Sequence, residues 1–146
     1  MIHPSPDPHS LSRFTEAQAD AYETAIAELR AGEKRSHWMW YVFPQVAGLG
    51  SSAMAKRYAI QSRDEAVAYL AHPILGRRLL ECAEALLGVS GRSAEQIMGY
   101  PDCLKLQSSM TLFAEISPSD SVFERVLREY YTGVTEQRTV EFLGSR

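Results

Sequence analysis

Lys105 and Ser109 stand four residues apart in the stretch PDCLKLQSSMTLF. On a helix that spacing puts an amine and a hydroxyl on one side, the pairing of a base with a nucleophile. Such chemistry also requires a desolvated lysine and a nearby oxyanion site, and neither is visible in sequence. Ser108 and Leu112 share the same side, so these residues equally suit capping, packing or lining a pocket. Asp102, at the head of the stretch, is the carboxylate best placed for acid–base work; Asp64, Glu65, Glu81 and Glu84 fall on helix exteriors or caps.

A second concentration of chemistry is KRSHWMWYVFPQ, residues 34–45. Read as a helix, it puts His37, Trp40 and Tyr41 on one side and Trp38 and Val42 nearer another. A helix that is aromatic on several sides is enclosed by other helices. Two roles remain open. The segment is either a core wedge with its polar tips paired to protein, or a stacking wall for a flat ligand oriented by His37 and Gln45. The third stretch is GLGSSAMAKRY, residues 48–58, in which two glycines and two serines precede a helix start. Its lysine spacing is not that of a P-loop and no strand precedes it. It reads as a serine-capped loop, or as an anion contact with Lys56 and Arg57 one turn further in.

The elements that must position these residues are helices. Apolar residues recur at threes and fours from Leu11 to Ala31, with a break expected near Asp20 and a stop at Gly32. Ser62 with Glu65, and Ser93 with Gln96, form capping-box patterns. Asp102 is expected to cap the helix that carries Lys105. Leu75, Leu79, Cys82, Ala83, Leu86 and Leu87 form one stripe, and Val122, Phe123, Val126, Leu127, Tyr130 and Tyr131 another. A short final helix docks by Val140, Phe142 and Leu143. The stretch HWMWYVF has strand propensity, but no partner strand exists and a lone buried strand leaves its amides unpaired. It therefore reads as a short buried helix, Ser36 to Val42, halted before Pro44.

The chain has 146 residues, 45% hydrophobic and 23% charged, as expected of one ordinary globular domain. A net charge of −3 with dispersed basic pairs argues against a nucleic-acid binder. Cys82 and Cys103 sit in apolar helical contexts, and the four histidines show no metal-ligand spacing. No apolar run approaches the ~20 residues of a membrane span. Residues 1–10, with Pro4, Pro6 and Pro8 and no apolar stretch, read as a disordered lead-in rather than a signal peptide. The expected location is the cytoplasm.

Taken together, RFTEAQ, HWMWYVFPQ, GLGSSAMAKRYAI, AYLAHPILGRRLLEC, PDCLKLQSSMTLF and RTVEFL resemble one bacterial domain-of-unknown-function family. The resemblance runs from about Phe14 to Leu143. Its members are sometimes labelled calpastatin, but that inhibitor is a disordered repeat protein, whereas this chain is periodic and core-forming. The resemblance implies a mainly α-helical domain and no particular reaction. A fainter similarity links the C-terminal half to small helical N-glycosidases acting on ADP-ribose-linked or related nucleotide substrates.

The expected fold is all-α, a compact single-domain bundle of about six to eight helices over residues 11–146. The expected ligand-binding residues are His37, Trp38, Trp40, Gln45, Arg57, Asp102, Lys105, Ser108 and Ser109. One of the two indoles would stack on a small polar or nucleotide-like metabolite, and Lys105 and Arg57 would meet negative charge. An N-glycoside hydrolase using Asp102, and a protein-interaction module without a pocket, are the alternatives. No cofactor, metal, membrane or nucleic-acid partner is expected.

Overall fold

The computed structural model describes residues 6–144. Nine helices lie among them: α1 Ser12–Ala31, α2 Met39–Val42, α3 Ala53–Arg57, α4 Arg63–Ala71, α5 Leu75–Leu87, α6 Ala94–Met98, α7 Asp102–Glu115, α8 Val122–Tyr131 and α9 Gln137–Gly144. The architecture is all-α, as the periodicity predicts. The helix number exceeds six to eight because α2, α3 and α6 are single turns. No strand occurs among the described residues; Val46 and Ile60 form one isolated parallel bridge.

α7 is the central element. Residues Ser108 through Phe113 are all buried, so this helix is enclosed on every side. It packs against α8, α9, α6 and α4, while α1 and α8 pack on α5. One contiguous core results, joining Phe14 and Leu29 of α1 to Tyr69, Leu79, Phe113 and Phe123.

The local signals act with instructive exceptions. α1 runs unbroken through Asp20, and Gly32 ends it at φ 75°, a left-handed conformation that glycine adopts without penalty. Ser93 and Gln96 complete their capping box. At α4 only half the box forms. Ser62 Oγ accepts from the Glu65 amide at 3.1 Å, but the Glu65 carboxylate goes to the Gln61 amide and Arg13 instead. Asp102 does not cap α7: it is the first helical residue and its carboxylate faces two lysines. The expected lead-in, residues 1–10, lies partly outside the described residues. From Asp7 the chain turns, and that carboxylate accepts from the Leu11 and Ser12 amides at 2.7 and 2.9 Å. No helix among the described residues is long and apolar enough to cross a membrane.

Candidate functional site

The aromatic segment is helical only over α2. Before it the chain bends, and Trp38 sits at the cap with φ −129°. The two indoles therefore part company. Trp38 is 1% exposed and belongs to the core. Its Nε1 donates to Glu28 at 2.8 Å. Glu28 also accepts from the Arg35 and Ser36 amides and the Ser36 hydroxyl. Burial pushes its pKa up, but these donors outweigh burial and hold the carboxyl at about 2. Gln18, buried in α1, donates to the Tyr41 carbonyl at 2.6 Å. Together these contacts fix α2 against α1 and leave Trp40 half-buried.

Beyond Pro44 the chain is pinned by a single parallel rung. The Ile60 amide donates to the Gln45 carbonyl at 2.8 Å, and the Ala47 amide to the Ile60 carbonyl at 2.9 Å. Between the pinned ends the segment curls into α3, where Ser52 Oγ accepts from the Ala55 amide. A Cβ at Gly50 would lie 2.7 Å from the Ala55 Cβ, so the curl closes only with glycine there.

A hollow of about 350 Å³ opens between this segment and the first turns of α7. Trp40, Gln45, Leu49, Ser51 and Ser52 form one wall; Pro101, Leu104, Lys105 and Ser108 form the other, with Arg138 of α9 at the rim. Lys105 Nζ lies 5.8 Å from the Trp40 ring centroid and 3.3 Å from Asp102 Oδ1. Asp102 Oδ2 is 2.9 Å from the nearly buried Lys34, which ties the loop after α1 to the start of α7. Ser108 Oγ donates to the Leu104 carbonyl at 3.2 Å.

Four of the nine residues singled out in sequence thus line one hollow: Trp40, Gln45, Lys105 and Ser108. The other five stand elsewhere. Trp38 is core. His37 is exposed, and its carbonyl lies 3.4 Å from the Tyr41 hydroxyl. Arg57 lines a different hollow, beside Arg13 and Glu65, with its guanidinium 5.6 Å from the Tyr58 centroid. Asp102 lies behind Lys105 rather than on the lining. Ser109 is fully buried, and its Oγ has no hydrogen-bond partner among the described residues. Ser108, Ser109 and Leu112, which share a side with Lys105, are all buried, so that side of α7 is largely interior. Arg138 was missed, since nothing local in RTVEFL marks a residue that only the docking of α9 on α7 brings to the rim. Among the described residues no group of three His, Cys, Asp or Glu side chains could hold a metal ion.

No curated protein shows a significant match to this chain. Its structure is similar to the crystal structure of the conserved hypothetical protein Rv1873 from Mycobacterium tuberculosis. The two share 53% sequence identity and a TM-score of 0.94, over 96% of this chain and 100% of that one. The model of a family described as "Protein of unknown function (DUF1810)" matches residues 8–143, in agreement with the resemblance read from the motifs. The chain belongs to the DUF1810 family.

Proposed function

We propose that this protein binds a small polar, nucleotide-like metabolite in the hollow between α2 and α7. One observation carries the reading: side chains from two segments some sixty residues apart in sequence, Trp40 and Gln45 with Lys105 and Ser108, line the same solvent-open space of about 350 Å³. That volume falls within the roughly 300–1,000 Å³ of small-molecule sites. The half-buried Trp40 offers a ring face, Gln45 both a donor and an acceptor, and Lys105 a charge. The free, buried Cys82 and Cys103 fit a reducing, cytoplasmic setting.

The geometry supports binding better than hydrolysis. The lining holds no carboxylate, and both oxygens of Asp102 face lysines. A serine–lysine mechanism is no better served: Ser109 is buried, and Lys105 faces a carboxylate rather than a hydroxyl. The exposed apolar residues Val67, Leu80 and Val134 lie on α4, on α5 and in the connection between α8 and α9. Scattered residues of that kind are ordinary surface.

A thermal-shift screen against nucleotides, nucleosides and sugar phosphates tests the proposal. A ligand at 100 times its Kd adds about 2.7 kcal/mol to stability. The shift should fall by about half in Lys105→Ala, as a tenfold loss of affinity requires, and at least as far in Trp40→Ala. A library that leaves the melting temperature unmoved refutes the reading.

A further inference from the structure

We infer that the hollow accepts a phosphate monoester, its dianionic group held between Lys105 and Arg138. This rests on the binding reading above and specifies the charged end of the ligand. The lining carries two cations and no carboxylate, in a chain whose net charge is −3. The positive spot is therefore a matter of local placement, not of overall charge. Its two cations come from α7 and α9, which pack together, so their separation is set by helix docking.

Each cation has one carboxylate neighbour that is shared. Lys105 lies 3.3 Å from Asp102, which also holds Lys34 at 2.9 Å. Arg138 Nε lies 3.4 Å from Glu136 Oε2. That same oxygen accepts the Arg138 amide at 3.0 Å, while Oε1 accepts the Thr139 amide and hydroxyl. Neither carboxylate is thus devoted to the rim cation beside it. A guanidinium forks two phosphate oxygens through its NH1 and NH2 edge, and an ammonium adds a compact point charge. Ser52 Oγ already accepts from Ala55, so its hydroxyl proton is the part suited to donate to the ligand. Trp40 and Leu104 offer apolar surface to the rest of the molecule. A single carboxylate would match only one of the two cations.

Calorimetry and tryptophan fluorescence on the full chain decide this with adenosine 5′-monophosphate, ribose 5-phosphate, inorganic phosphate and adenosine as probes. At least one phosphate monoester should bind about tenfold or more tighter than adenosine. Arg138→Gln and Lys105→Gln should each weaken that probe roughly tenfold, the loss expected for one charge-assisted contact. Affinity should rise between about pH 5 and pH 7, as the second phosphate proton leaves near about 6. Inorganic phosphate should compete, and the fluorescence change should disappear in Trp40→Phe. Unligated melting temperatures check that the variants remain folded. Monoester binding that is indifferent to Arg138→Gln and Lys105→Gln overturns the assignment. Adenosine binding as tightly as its monophosphate, with both lost in Trp40→Ala, overturns the dianion but leaves the hollow as a site. No binding by any probe removes both.

Discussion

Glu28 shows how one carboxylate can organise a segment that propensity alone would send elsewhere. Four donors from residues 35–38 converge on it, and a neutral amide could satisfy them only in part. Glu28→Gln should lower stability by about 2 kcal/mol at neutral pH. The pH dependence has a definite sign. The carboxyl titrates near its ordinary 4.5 when unfolded and at about 2 when folded, so it favours the native state above the unfolded value. That advantage fades as pH falls from about 4.5 towards 2. Urea midpoints of the two proteins should therefore differ most near neutrality and converge in acid. The same residue explains why the sequence could not say which indole lines the hollow. A continuous helix would group His37 with Trp40 and leave Trp38 apart; the bend drawn in by Glu28 buries Trp38 and leaves His37 outside. That Trp40 and Gln45 line the same hollow as Lys105 depends on where α2 lies against α7, not on helix phase.

At the scale of elements, two contacts fix how helices meet. Arg13 of α1 donates to the His9, Ser10, Arg57 and Ala59 carbonyls and to the buried Glu65. It thereby joins α1, the end of α3 and the start of α4. A lysine keeps the charge but not the fork, so Arg13→Lys should cost about 3 kcal/mol, measured by chemical denaturation. This is also why the expected capping box at Ser62 is only half made: Glu65 serves the long-range contact. Gly76 of α5 is the second contact, where an added Cβ would lie 2.1 Å from the Leu70 carbonyl oxygen of α4. Gly76→Ala should lower stability by about 3 kcal/mol. Helix α8 was legible from its stripe, and the end of α1 from Gly32. The separate site of Arg57 was not, because it depends on which side of a single-turn helix faces α1. Nor was Arg138, whose position follows from tertiary docking.

For the molecule as a whole, a single core shields both thiols. Burial pushes the Cys82 thiol up to about 12, and raises that of Cys103 as well. Both side chains are free and buried. An aromatic disulfide reagent should therefore react slowly with the native protein and titrate two thiols once denaturant is added. Lys105→Ala, by contrast, touches only rim contacts and should change stability by roughly 0.5 kcal/mol or less. The all-α class was legible because α1, α5 and α8 each carry a regular apolar stripe. The enclosure of α7 was less so, since the hydroxyl-bearing Ser108, Ser109 and Thr111 interrupt its apolar pattern and are nevertheless buried. The lone rung between Val46 and Ile60 has a consequence of its own. It clamps the two ends of the stretch from Ala47 to Ala59 to the body, so the exposed residues 50–54 hang like a handle on a closed lid. Exchanging Ser51 along that handle, with Gly50 and Ser52 kept, would reshape one wall of the hollow while the interior registers almost nothing.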